Sequence, residues 1–268
     1  MPCPFTMFCG KKTTHDIKVI CFGAPHSGND SLTPALEMIY QNPIFDIHYS
    51  MGGCQIARWN KLLDKKHSDS KPEDKIISKD DFDSMFRGYC GVNLSPHIYF
   101  MEDVVKAFPN AKFIVTKVDE KTWLKNVRES TMSVDFLKEQ GIFVRIGRFF
   151  TGFGKKMNFM KTLVTKTYGE IDFLKDEDLL VLYKKHYEAV SKHVPKDKCL
   201  EFNEKEGWAP LVKFLDMPQP QVEFPACNDC RCPIAKIDKA VGNFIKFGVP
   251  LTIAIGVAIA VGVTLKKA

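Results

Sequence analysis

The sequence predicts an α/β domain with a parallel sheet sandwiched by helices, followed by one hydrophobic C-terminal helix. Three short apolar runs of buried-strand type, at residues 17–23, 111–116 and 199–202, are separated by segments with helical spacing. Strands that alternate with helices are typical of a parallel sheet covered on both faces. Residues 247–265 carry no charge over nineteen positions, which indicates a membrane span.

The helices are predicted from apolar residues at helical spacing. Leu32, Leu36 and Ile39 mark a helix directly after the first strand and its turn. The polar stretch 61–79 is interpreted as a surface excursion. Further helices are expected at residues 123–137, 176–193 and 208–215.

Composition indicates a folded chain and excludes wholesale disorder. Of the 268 residues, 45% are hydrophobic, which is enough to bury a core of good size. The net charge of +6 is carried in part by lysine-rich segments such as 155–166 and 184–198, which are typical of solvated helix faces. No known binding motif accompanies these lysines, so we expect no nucleic-acid partner.

The uncharged run near the C-terminus is long enough to cover most of a bilayer core. At about 1.5 Å per residue it approaches the thickness of about 30 Å that lipid tails span. Lysines stand on both sides of it, and their long stems reach headgroups. We expect a membrane protein with a single-pass C-terminal anchor and the domain facing the cytosol. The expected units are residues 1–16 (N-terminal segment), 17–229 (domain), 230–245 (amphipathic linker), 246–265 (transmembrane helix) and 266–268 (tail).

Two features around this anchor leave alternatives open. Small residues recur at Ala254, Ala258 and Gly262, which favours self-association of the helix, although ordinary use of Ala and Gly explains them equally well. Three cysteines precede the linker, at positions 227, 230 and 232; acylation, metal binding and plain thiols all fit them. Since no partner pair at zinc spacing follows, we expect no metal.

The first strand, turn and helix match the front of a phosphate-binding loop. Gly23 and Gly28 have the G-x-x-x-x-G spacing at which backbone N–H groups converge on a phosphate. A nucleoside triphosphatase needs Lys and Ser or Thr directly afterwards. Asn29 and Asp30 occupy those positions, which argues against hydrolysis of ATP or GTP.

Several later stretches carry a family resemblance. Residues 108–116 with Trp123, and then residues 195–202, 206–215 and 224–229, resemble the P-loop sulfotransferases, and most closely their schistosome-type branch. The resemblance implies a sulfotransferase-like parallel sheet. It also implies the sulfo donor PAPS, or its product adenosine 3′,5′-bisphosphate, as ligand.

The resemblance assigns the donor's 5′ end to the first loop. Members carry a permanent cation where this chain has His26, which is mostly neutral at pH 7. Asp30 adds a negative charge, which repels a phosphate. The implied loop residues are Gly23, His26, Ser27, Gly28, Asn29 and Ser31.

The positions implied for the 3′-phosphate also depart from the family. The expected arginine position is Val118, with Lys117 beside it, and the expected serine position is Asn126. Lys117 can take the place of that arginine only if the end of the strand rotates, because neighbouring residues of a strand face opposite ways.

The general base expected from the family is an aspartate just before an aromatic–proline pair. Counting back from Pro96 places Leu94 there, with Asn93 adjacent, and neither accepts a proton at neutral pH. His97 is a candidate base, although a surface or core histidine is the simpler interpretation.

These departures lead to one main hypothesis and two alternatives. The main hypothesis is a membrane-anchored, catalytically impaired binding or scaffold module. The first alternative is an active PAPS-dependent sulfotransferase that uses His26, Lys117 and His97 on a small hydroxyl or amine acceptor. The second is a nucleotide sensor that binds adenosine 3′,5′-bisphosphate without transferring a group.

Overall fold

The computed structural model describes residues 16–47, 53–69, 71–94, 98–129 and 153–225. Within these ranges, no helix combines the length and the apolar character that crossing a bilayer requires. The predicted span 246–265, the linker 230–245 and the three cysteines at 227, 230 and 232 lie outside them.

Five parallel strands form the sheet, which confirms the predicted α/β class. Their order is β2-β3-β1-β4-β5. The central strand β1 pairs on both sides, with Ile20 opposite Val92 of β3 and Phe113 of β4. The strands are β1 (Val19–Cys21), β2 (Ile44–Asp46), β3 (Gly91–Asn93), β4 (Lys112–Thr116) and β5 (Cys199–Phe202).

The helices surround this sheet. The α-helices are α1 (Asn29–Tyr40), α2 (Gly53–His67), α3 (Lys79–Phe86), α4 (Met101–Ala107), α5 (Glu120–Glu129), α6 (Phe153–Tyr168), α7 (Asp176–His193) and α8 (Trp208–Leu215). Short 3₁₀ helices cover Pro72–Lys75, Ile98–Phe100, Lys196–Lys198 and Glu204–Glu206.

The core lies in two layers because side chains alternate across each strand. Ile20 of β1 belongs to the larger layer, which contains residues of α2 through α7. Val19 and Cys21 face the other layer, which α1 and α8 cover with residues such as Leu36 and Leu211. Both faces of the sheet are therefore covered, as predicted.

Some element assignments from the sequence need correction. The interpretation of residues 61–79 as a surface excursion was wrong for 61–67, because α2 continues to His67 and buries Leu62 and Leu63, whereas most described residues of 68–79 are exposed or half-buried. The lysines on the outer side of α2 make this stretch of sequence predominantly polar, so its apolar face was not recognised. Strands β2 and β3 were missed, since polar residues end their short apolar runs at Asp46 and Asn93, whereas the equally short β1 lies within the longer apolar run 17–23. The helix predicted at 123–137 is α5, and its predicted end lies outside the described residues.

A buried histidine joins α7 to the end of β1. His186 is fully enclosed, and its Nε2 lies 2.8 Å from the carbonyl oxygen of Phe22. A carbonyl only accepts, so Nε2 carries the proton and Nδ1 accepts from the Tyr168 hydroxyl at 3.1 Å. Burial lowers the pKa of His186 from its ordinary 6.5 to about 4. The imidazole is therefore neutral at pH 7.

Acidification should destabilise the fold through His186. Between its folded pKa of about 4 and its unfolded pKa of 6.5, the unfolded chain binds the extra proton, so stability falls as the pH falls. We expect the free energy of unfolding to drop by about 2 kcal/mol from pH 7 to pH 5. Denaturant unfolding at both pH values measures this. His186→Gln should remove most of the drop, whereas the control His193→Gln should keep it; equal slopes in both variants would refute the assignment.

Candidate functional site

The turn between β1 and α1 brings the start of the helix to the carboxyl edge of the sheet. The backbone N–H of Ser27 donates to the carbonyl of Ala24 at 3.3 Å. His26 and Gly28 both have a positive φ, 60° and 99°, which closes the turn tightly. The strand, tight turn and helix expected from the G-x-x-x-x-G spacing are therefore present.

The polar side chains of the loop are bonded inward. Ser27 Oγ and Asn29 Nδ2 each donate to the carbonyl of Ala24 at 2.6 Å. Thr116, at the end of β4, donates from Oγ1 to Asn29 Oδ1 at 2.8 Å, and its Oγ1 lies 2.7 Å from Ser27 Oγ. All three side chains are buried. We call Ser27, Asn29 and Thr116 the loop knot.

Gly23 makes room for the loop knot. A Cβ at this position would lie 1.8 Å from Thr116 Oγ1 and 2.3 Å from Asn29 Oδ1, and real atoms do not approach so closely. The first glycine of the motif is therefore required by packing beneath the loop.

A carboxylate lies against the other side of the loop. Ser31 Oγ donates to Glu204 Oε2 at 2.9 Å. A Cβ added to Gly28 would stand 3.3 Å from the same carboxyl group, so Glu204 lies beside the beginning of α1. A helix N-terminus attracts negative charge. Here the protein's own side chain supplies that charge.

Two side chains of helix α5 donate hydrogen bonds to backbone carbonyls of the loop. Asn126 Nδ2 donates to the carbonyl of His26 at 3.0 Å, and Trp123 Nε1 donates to the carbonyl of Pro25 at 2.6 Å. Asn126 therefore lies beside the loop as predicted, with one of its amide N–H groups bound to the chain itself.

Lys117 follows Thr116 but is directed toward β5. Its Nζ lies 3.3 Å from Glu201 and 5.4 Å from the ring centre of Tyr187. Val118, at the predicted arginine position, packs against the larger core layer. A cavity of about 420 Å³ opens beside this ion pair, lined by Lys117, Glu201, Phe202, Asn203, Lys205 and Glu206.

The carboxyl ends of β2 and β3 hold a buried polar cluster that was not predicted. Asp46 Oδ2 accepts from Thr33 Oγ1 at 2.6 Å and from Asn93 Nδ2 at 3.1 Å. All three residues are at most 5% exposed. Leu94 is buried as well, and His97 lies outside the described residues. A carboxylate thus stands next to Asn93, near the position expected for the base, but it comes from β2.

Three residues of this region were missed from the sequence: Thr116, Glu204 and Asp46. Each lies at or just beyond the carboxyl end of a strand, where ligands bind in open parallel sheets. That position would have pointed to Thr116 and Glu204, which follow predicted strands. Asp46 ends a strand that was not recognised.

Comparison with known proteins identifies the family. A protein-family model with the description “Sulfotransferase domain” matches residues 18–231 of the chain. The chain belongs to the sulfotransferase family. It is also similar to Ava biosynthesis cluster protein M of Aspergillus versicolor, with 26% identity over 211 residues that cover 78% of this chain and 80% of that protein.

Sulfotransferases generally take the sulfo group from PAPS, but the residues at this loop do not fit that donor. Residues 23–31 contain no lysine or arginine, and the Glu204 carboxylate stands at the helix N-terminus. In this sulfotransferase domain the turn between β1 and α1 thus has no lysine or arginine of its own and has a carboxylate beside it. Nor do three or more His, Cys, Asp or Glu residues gather into a metal site anywhere in the described ranges.

The packing at Gly23 generates a direct test of the loop knot. Gly23→Ala should lower the free energy of unfolding by at least about 2 kcal/mol, because the methyl group displaces Thr116 and Asn29. Gly88→Ala is the control, since its Cβ would meet nothing within 4 Å and its only cost is the positive φ of 88°, a strain that is absent at Gly23. We expect that control to cost about 1 kcal/mol. Equal losses in denaturant unfolding would argue against the knot.

Proposed function

We propose that this sulfotransferase-family protein is catalytically impaired and acts as a membrane-anchored binding or scaffold module. The observation that carries the proposal is the lack of a fixed positive charge at the phosphate loop. The predicted loop cation is His26, and residues 23–31 hold no other basic side chain. Lys117, the nearest predicted substitute, is paired with Glu201.

The energetic consequence for a multiply anionic donor is large. A charge-assisted hydrogen bond contributes about 1.5–3 kcal/mol, and the loop and 3′-phosphate positions each lack one. Every 1.4 kcal/mol corresponds to about a tenfold change in affinity. Two such losses weaken binding by orders of magnitude, whereas the fold does not depend on them.

The membrane part of the proposal is supported by the sequence. Residues 246–265 combine length, absence of internal charge and flanking lysines. We propose that they anchor the domain on the cytosolic face of an organelle membrane. The small-residue stripe at Ala254, Ala258 and Gly262 would allow two such helices to pack closely.

Calorimetric titration of the purified full-length chain with adenosine 3′,5′-bisphosphate tests the impaired site. We expect no measurable binding at about 1 mM nucleotide, because the loop lacks its cations. A sulfotransferase that uses PAPS serves as the positive control. Micromolar binding would contradict the proposal; without accompanying transfer it would favour a nucleotide sensor.

One observation favours a working sulfotransferase as a second candidate. The Asp46 carboxylate, held by Thr33 and Asn93, is a proton acceptor at the sheet edge where the base was expected. Sulfate transfer from labelled PAPS to small alcohols, phenols or amines discriminates the two functions. Transfer that is lost in both His26→Ala and Asp46→Asn would establish this candidate, and no transfer by the wild-type chain would exclude it.

Removing the predicted anchor should release the domain from membranes. Deletion of residues 244–268 eliminates the apolar span but leaves every described residue in place. We expect the full-length chain to sediment with membranes and the truncated chain to appear in the soluble fraction. Continued sedimentation of a folded truncated chain would show that another part of the protein holds the membrane.

A further inference from the structure

The Glu204 carboxyl group lies beside the beginning of α1. Its Oε2 accepts the Ser31 hydroxyl at 2.9 Å, and its carboxyl group lies 3.3 Å from where a Cβ on Gly28 would be. Ser31 is 1% exposed, so its hydroxyl bonds within the protein. The carboxylate thus fills the side-chain face of Gly28 and takes the hydrogen bond of the Ser31 hydroxyl.

The chain around Glu204 fixes its position. Asn203 and Glu206 form a capping box, in which Glu206 accepts from the Asn203 N–H at 3.0 Å. Gly207 then turns the chain with a φ of 65°, and Trp208 is buried with its Nε1 donating to the carbonyl of Val222 at 2.8 Å. A turn anchored at both ends holds the Glu204 side chain against the loop.

Charge makes this contact selective. The negative carboxylate is favourable at the positive end of α1, so the protein gains stability from it. A phosphate or sulfate at the same place would be a second negative charge within a few ångströms, and like charges repel strongly where water is partly excluded. Displacing Glu204 would also break its bond to Ser31.

We propose that Glu204 is the residue that determines anion rejection at this loop, acting as an internal substitute for the phosphate of a nucleotide. The inference rests on the proposed function and deepens it, because it assigns a further part of the loss of donor binding to one side chain, beside the missing cations. Removing the charge at position 204 should restore affinity for a phosphate ester even though the loop cations are still missing. The substitution leaves the backbone N–H groups at the start of α1 unchanged, and such groups bind phosphate.

The experiment is a titration of three full-length variants with adenosine 3′,5′-bisphosphate. Glu204→Gln keeps an oxygen for the Ser31 hydroxyl and should therefore fold, while Glu204→Ala also opens the space beside Gly28. Glu206→Gln is the matched control, since it removes one negative charge from the same turn and keeps an acceptor for Asn203. Thermal unfolding verifies that each variant is folded.

We expect both substitutions at Glu204 to give measurable binding at about 1 mM nucleotide, where the wild-type chain and Glu206→Gln show none. No gain in the folded Glu204 variants would overturn the inference, and so would an equal gain in the control. Micromolar binding by the wild-type chain is a separate outcome that overturns the proposed function. If the Glu204 variants then bound tighter still, the present inference would stand without it.

Discussion

The loop knot of Ser27, Asn29 and Thr116 is the contact on which the rest of the site depends. It draws the side chains of the phosphate loop under the backbone and ties the end of β4 to the start of α1. Gly23 is compatible with it only because it has no side chain. The neutral His186, bonded to the carbonyl of Phe22, supports the same turn from behind. These contacts define the shape of the loop.

The residues that give the loop its shape are not the residues that would bind a donor. The contacts that shape the sulfotransferase fold are neutral hydrogen bonds and buried apolar side chains, and they are intact. The contacts that we propose to have been lost are charges: residues 23–31 carry no lysine or arginine, and among the described residues Lys117 is paired with Glu201. Stability and donor binding thus rest on different residues, so the second can change while the first is preserved.

Sequence patterns predicted the architecture better than the site. The runs that became β1, β4 and β5 were visible because they are apolar, and α7 and α8 begin and end at the predicted residues. Strands β2 and β3 each contain a polar residue that interrupts the apolar run, so they were not recognised and Asp46 was missed with them. Glu204 contacts Ser31 across 173 positions, and no local spacing records such a pairing. Long-range contacts of this kind follow from the fold rather than from a motif.

The central claim is that the protein's own carboxylate stands where the donor's phosphate would bind. A crystal structure of the full-length chain, soaked with adenosine 3′,5′-bisphosphate at millimolar concentration, tests this most directly. We predict density for Glu204 against Gly28 and Ser31 and none for a nucleotide at the loop. A 5′-phosphate seated on the loop N–H groups, with the Glu204 side chain turned away, would contradict the claim.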